Sequence, residues 1–367
     1  MLLFTPGPTP VLESVRQAMA TPTIHHRTPE FEAIFKQARE RLLSLFDMDE
    51  CVMLGSSGTG AMQSCMINLC KSKALTINAG KFGERFGKIA DAFNIEKVEL
   101  SYEWNTPCSV KDVESALKNN SDIDAIFIQV CESAGGLRHP VEEIAKRVKE
   151  IDSSIMVVAD GITAVGVEKI DTTNIDALIA GSQKAFMLPP GLAMIGLSND
   201  AVKKIDNGVD YYFNLSSEIK NQRKNTTAYT AVTTLIIGLN AMFDEVEKEG
   251  LDKLYSNTIR RADATKMALE SIGFDIYPSS PALSMSTVFD DDAEAIRKLL
   301  KTKYGVNMAG GQDHLKGKLF RINQMGLIPT YESCWVVNAI ELALAEIGRR
   351  DFDGTANRVF NEVYYKA

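Results

Sequence analysis

Nowhere does this sequence begin a basic stretch that runs on into a long apolar one, so its start, Met1-Leu2-Leu3-Phe4-Thr5-Pro6-Gly7, does not read as a signal peptide. Its apolar runs all fall short of the ~20 residues that a membrane helix needs. There is no CxxC pair. The six cysteines (Cys51, Cys65, Cys70, Cys108, Cys131 and Cys334) are scattered, which argues against a disulfide frame or a zinc knuckle. They read as reduced thiols in a cytoplasmic protein. An excess of positive charge is missing too: the formal net charge is −8. That balance disfavours a nucleic-acid partner and a polybasic membrane contact, although an anionic substrate could still meet a locally positive site. Internal repeats and low-complexity segments are also lacking.

What remains is a chain of 367 residues, 45% of them hydrophobic, which is long enough for one large and one small unit. Phe31, Ile34, Phe35, Ala38, Leu42 and Phe46 recur at helical spacing. Beyond them, short apolar runs alternate with amphipathic stretches. The runs are Cys51 to Leu54, Ala74 to Ile77, Val98 to Leu100, Ala125 to Val130, Ile155 to Ala159, Ala177 to Ala180 and Ala193 to Leu197. Such alternation predicts an α/β fold with a mostly parallel sheet covered by helices on both faces. A long helix is expected from about Thr230 to Glu249, with Gly250 as its stop. The pattern then changes to a helix over Leu251 to Ile272 and strands at Phe274 to Tyr277, Leu283 to Val288 and Leu319 to Ile322. The expected organisation is a large unit over 1–250 and a smaller α+β unit over 251–367.

In a sheet of this kind, ligands bind outside the carboxyl ends of the strands. The run Val157-Val158-Ala159 ends there in Asp160, and Ala180-Gly181-Ser182-Gln183 leads into Lys184. Singly, each has a plain explanation: strand-end aspartates cap turns, and lone lysines reach the surface. Together they suit pyridoxal 5′-phosphate, which needs a lysine amine to form a Schiff base and an anion beside the pyridine nitrogen. A third element, Gly55-Ser56-Ser57-Gly58-Thr59-Gly60, turns from a strand into a helix and offers backbone amides and hydroxyls to an anion. Gln63 stands where a dinucleotide fingerprint would place glycine, and no P-loop lysine follows, so the turn suits a monophosphate.

These elements, in this order, resemble the class V aminotransferases of pyridoxal-phosphate fold type I, nearest the alanine–glyoxylate and serine–pyruvate group. Phe4-Thr5-Pro6-Gly7-Pro8-Thr9 and His25-His26-Arg27-Thr28-Pro29-Glu30-Phe31 carry the same resemblance. It implies that Lys184 is the Schiff-base lysine and proton carrier, and that Asp160 pairs with the pyridine nitrogen. By the same resemblance Ser57, Gly58 and Thr59 bind the phosphate, Gln183 lies close to it, Ser133 approaches the ring and Phe82 stacks on it. Gly80 and Gly83 suggest that Phe82 sits in a loop. Arg321 would hold the substrate carboxylate, with Gly7 at the substrate site. Thr227 and Thr230 match a segment that reaches the partner subunit's phosphate, although the family commonly has tyrosine at the position of Thr227. The implied protein is a homodimer that passes an amino group from alanine or serine to glyoxylate or pyruvate.

Alternatives within the fold are an aspartate, phosphoserine or aminoethylphosphonate aminotransferase, or a cysteine desulfurase-like lyase. Phe82 at the stacking position and Cys334 in a helical pattern speak against the lyase. A non-catalytic pyridoxal-phosphate binder is the remaining alternative.

Overall fold

The alternating apolar runs fold into strands in a computed structural model that describes residues 1–206 and 210–366. Ala367, the last position of the expected small unit, and residues 207–209 lie outside the described residues. In chain order the strands are β1 (Leu2–Phe4), β2 (Glu50–Leu54), β3 (Lys73–Asn78), β4 (Glu96–Ser101), β5 (Ile123–Gln129), β6 (Cys131–Glu132), β7 (Leu137–Arg138), β8 (Met156–Asp160), β9 (Ala177–Gly181), β10 (Ala193–Leu197), β11 (Met285–Phe289), β12 (Val306–Gly310) and β13 (Leu319–Asn323).

Seven strands form the main sheet in the order β2-β10-β9-β8-β5-β3-β4. It is parallel except for β10, which runs against both of its neighbours. The exception has a local cause. The link from β9 to β10 is too short to hold a crossover helix, and only an antiparallel neighbour can be reached by a turn. Pro189, Pro190 and Gly191 lie in that link, and so does Lys184. Every residue of β2, β8, β9 and β10 is buried, as expected for strands covered on both faces.

One covering layer is the helix Pro29–Phe46, capped by Thr28, which buries Phe31, Phe35, Ala38, Leu42 and Phe46. The opposite face carries the helix Gly58–Leu69, with Met62, Met66 and Leu69 against Phe86 and Phe127. The expected helix near Thr230 begins at Thr233 and ends at Glu249, where Gly250 (φ 86°) redirects the chain.

A second sheet has the order β1-β12-β13-β11, with helices Leu251–Ser271, Ala293–Thr302, Thr330–Glu346 and Thr355–Lys366 packed around it. Two of its strands escape a pattern reading. β1 has three residues, and β12 (Val-Asn-Met-Ala-Gly) is short of β-branched residues, so tertiary pairing overrides weak propensity. Conversely, Phe274 to Tyr277 forms no strand and contributes only a bridge from Ile276 to Val288. Because β1 pairs with β12, the chain start is anchored in this sheet, and residues 5–9 then cross to the ends of β8 and β9.

Candidate active site

Asp160 and Lys184 emerge at the carboxyl ends of adjacent strands and line one cavity of about 320 Å³. Asp160 is buried, and Oδ1 accepts a hydrogen bond from Ile162 N at 3.0 Å. Burial pushes its carboxyl up to about 6, against the pull of the Ile162 amide, Arg85 and Lys184. Lys184 is also buried, and burial pushes its ammonium down to about 8.

The segment from Pro6 to Thr9 straps the lysine in place. Lys184 Nζ donates to the Pro6 carbonyl, Thr9 Oγ1 donates to the Lys184 carbonyl at 2.7 Å, and Thr9 N donates to the Gln183 carbonyl at 3.1 Å. Gly7 adopts φ 112°, and a β-carbon there would lie 2.5 Å from Lys184 Nζ. Both the backbone angle and the close approach require glycine.

On the opposite wall, Ser57 caps the helix Gly58–Leu69 by backbone alone, with no side-chain cap bond. The first amides of the helix, at Gly58 and Thr59, have no intrahelical acceptor, and both residues line the cavity. A β-carbon at Gly58 would strike Ile162 Cδ1 at 2.3 Å, so the cradle is closed on that side. Ser133, Phe82 and Gln183 complete the lining, and Gln183 Oε1 is buried without a partner.

Phe82 sits in the first turn of the helix Lys81–Ala92 and not in a loop. Gly80 ends the turn and Gly83 is already helical, because Gly83 packs against the backbone of Ile77 and Asn78, where a side chain would not fit. This corrects the loop expected from the two glycines.

Three of the remaining candidates stand apart. Arg321, central in β13, is buried behind the cavity, and its guanidinium donates to the Ser133 carbonyl at 2.7 Å and the Gly310 carbonyl at 2.6 Å. Its Nε has no partner among the described residues, and burial pushes the group down to about 10. Thr227 and Thr230 do not reach this cavity in a single chain. They line a narrow pocket with Gly55, Tyr212 and Tyr229, where Thr227 Oγ1 donates to the Tyr229 carbonyl.

Sequence reasoning missed Arg85 and Glu132. Arg85 lines the cavity one helical turn after Phe82, a spacing that becomes legible once the helix is known to start at Lys81. Glu132 is fully buried and accepts from the amides of Phe82 (2.9 Å), Gly83 (2.8 Å) and Ala134 (2.9 Å), while burial holds its carboxyl up at about 7. It ties the turn that carries Phe82 to the strand that precedes Ser133.

The sequence profile described as Aminotransferase class-V matches residues 3–325. The chain belongs to the class-V aminotransferase family. An uncharacterized aminotransferase of Helicobacter pylori is 50% identical over the full length of both chains. A serine–glyoxylate aminotransferase of Hyphomicrobium methylovorum is 28% identical, covering 94% of this chain and 90% of its own. Among solved structures, a subgroup IV aspartate aminotransferase of Thermus thermophilus superposes with a TM-score of 0.88 at 28% identity, covering 95% of this chain and all of its own. The fold of this aminotransferase is therefore pyridoxal-phosphate fold type I.

Family membership implies pyridoxal 5′-phosphate, and the cavity fits it. The unsatisfied amides at Gly58 and Thr59 match a phosphate, the Phe82 ring offers a flat apolar face, and the buried Asp160 carboxyl and Lys184 amine match the two ends of the ring chemistry. Cys131, the cavity's thiol, is pushed up to about 11 by burial, so it is protonated and no nucleophile. Cys334 lies far off in the helix Thr330–Glu346, bonded to Asn361 and packed in the second sheet's core.

Proposed function

We propose that this enzyme transfers the amino group of a small amino acid, alanine or serine, to glyoxylate or pyruvate by a ping-pong mechanism. The observation that carries this reading is that Lys184 and Asp160 share one cavity with a helix N-terminus suited to a phosphate. When bound, the cofactor supplies an electron sink conjugated to the substrate α-carbon.

The chain's own groups do the rest. Lys184 offers at Nζ the amine that would hold the cofactor aldehyde, and a lowered pKa keeps part of it unprotonated near neutrality. Once displaced, the same Nζ carries the proton to and from the α-carbon. Asp160 holds a proton at the pyridine nitrogen, where burial strengthens the pairing. Phe82 would cover one face of the ring, and Ser57, Gly58, Thr59 and Gln183 would hold the phosphate. Ser133, whose carbonyl accepts from Arg321, would lie beside the ring. Arg321 keeps the N–H at Nε without a partner among the described residues, and in this reading its cationic group would take a substrate carboxylate seated beside Ser133. Gly7 leaves room for that substrate and keeps the strap on Lys184, which helps to exclude water.

The working unit in this reading is a homodimer in which Thr227 and Thr230 face the partner's phosphate. The chain divides near residue 250 into a cofactor unit and a smaller unit that brings Arg321. The small-donor reading is supported by the serine–glyoxylate relative from Hyphomicrobium.

The test is the visible absorption of the purified protein, titrated in turn with alanine, serine, aspartate and phosphoserine. Bleaching by alanine or serine, reversed by glyoxylate or pyruvate, is the expected result. Bleaching by aspartate or phosphoserine alone would overturn the substrate assignment, and a protein without a visible band after addition of pyridoxal phosphate would overturn the reaction.

A further inference from the structure

The half-buried guanidinium of Arg85 lies where three features of the cavity meet. Arg85 Nη1 donates to Thr59 Oγ1 at 2.9 Å, which places the charge at the first turn of the helix Gly58–Leu69. Its carbon Cζ stands 4.6 Å from the centre of the Phe82 ring. The side chain also lines the same cavity as Asp160 and Lys184.

Arg85 makes no ion pair among the described residues, although a carboxylate is its chain neighbour. Glu84 bonds Lys88 at 2.7 Å and Lys81 at 3.5 Å, and Lys81 takes Asp313 as well at 2.8 Å. The cations around Arg85 are thus neutralised while Arg85 faces the cavity. A partly desolvated charge without a counter-ion is costly, so the arrangement suits an anionic guest.

The charge balance of the cavity points the same way. A phosphate monoester carries about −1.5 to −2 at neutral pH, while a helix N-terminus contributes roughly +0.5. Lys184 is reserved for the aldehyde, and Arg321 is already bonded to two carbonyls. Asp160 adds negative charge to the cavity. Arg85 is the cation that is left.

We propose that Arg85 is the phosphate-neutralising cation of this site, reaching the cofactor phosphate beside Thr59 while its flat face steadies the Phe82 ring. The assignment rests on the cavity being a pyridoxal-phosphate site. The same charge lowers the pKa of both Asp160 and Lys184, so it also biases the protonation of the two groups.

The experiment is equilibrium binding to the full-length apoprotein of pyridoxal phosphate and of pyridoxal, which lacks the phosphate. Wild type is compared with Arg85→Met and Arg85→Lys, and circular dichroism checks that each variant is folded. Arg85→Met is expected to weaken pyridoxal phosphate by about 10- to 100-fold, the scale of one charged hydrogen bond, and to change pyridoxal less than about twofold. Arg85→Lys should recover most of the loss, because a point charge suffices for a phosphate. Inorganic phosphate should compete for the site in wild type and not in Arg85→Met. Equal weakening of both ligands in Arg85→Met would overturn the assignment in favour of a purely positional role under Phe82, and so would unchanged binding of both. Wild-type apoprotein that binds neither ligand would instead sink the cofactor reading itself.

Discussion

Glu341, in the C-terminal part of the chain, is fully buried and saturated with partners. It accepts from the amides of Thr355 (3.2 Å) and Ala356 (3.0 Å) and faces the Arg350 guanidinium at 3.2 Å. One carboxylate thereby stitches the helix Thr330–Glu346 to the start of the helix Thr355–Lys366. Asp160, at the end of β8, is almost as deeply buried, yet its carboxyl accepts a single hydrogen bond among the described residues, from Ile162. Arginines show the same contrast. Arg261 donates to the carbonyls of Gln324 and Gly326 and to the Thr258 hydroxyl, whereas Arg85 has one hydroxyl and one ring face among the described residues. The Glu341 carboxylate serves packing, and both of its oxygens are engaged. Buried charge at the cavity keeps capacity in reserve, at a cost in stability that a ligand would offset.

The comparison breaks most visibly at Lys184. Lys184→Ala should lower transamination by at least about 10³-fold and abolish the visible band, because it deletes both the holding amine and the proton carrier. Its melting temperature should stay within a few degrees of the wild type's or rise, since a poorly compensated buried ammonium is lost. An equal loss of stability would mean that Lys184 is a packing residue like Arg261.

Glu341→Ala is the mirror experiment. Removing it leaves amides and Arg350 without their partner, which should cost about 2–4 kcal/mol in denaturant unfolding. The affinity for pyridoxal phosphate in the surviving folded fraction should not change. A large drop in that affinity would erase the distinction between the two regions.

Asp160 sharpens the contrast through pH. Its folded pKa of about 6 lies above the ordinary 3.8, so between those values the native state binds more protons than the unfolded chain. Stability of the apoprotein should therefore fall as pH rises from about 4 to 6, by an amount on the order of 2–3 kcal/mol attributable to this group. Urea midpoints of Asp160→Asn, compared with wild type over this range, should lose that part of the slope. An unchanged slope would place the carboxyl in a wetter setting than its burial implies.

The smallest effect is expected at Gly7. Gly7→Ala imposes φ 112° on an alanine and drives a methyl into Lys184, so the strap must shift. A stability loss of about 1–2 kcal/mol should accompany a fall in turnover that exceeds any change in KM. Turnover equal to wild type would show that the strap is not needed to seat the amine.

Much of this organisation was readable from local patterns. The helix Pro29–Phe46 and the strands of the main sheet follow from apolar spacing, since burial on one or both faces leaves a period in the sequence. Asp160 and Lys184 could be assigned to strand ends because each ends a run of small apolar residues. The errors cluster where the signal is weak or non-local. β1 and β12 give weak strand signals and exist through pairing, β1 with β12 and β12 also with β13. Phe82 looked like a loop residue because glycines flank it, yet Gly83 is dictated by the close approach of the β3 backbone. Arg85 went unnoticed because its meaning depends on Thr59, which is distant in sequence.

The sequence by itself determined the α/β class, the succession of strand and helix, the glycine turn at Gly55 to Gly60, and the presence of an aspartate and a lysine at successive strand ends. Those features depend on spacing along the chain, which hydrophobic burial reads directly. The tertiary structure alone decided that residues 5–9 press on Lys184, that Glu132 holds the Phe82 turn, that Arg321 is seated against Ser133, and that Arg85 has no ion pair among the described residues. Each of these joins residues far apart in sequence. The partner of a charge is chosen by the packing of whole elements, and no local period records that choice.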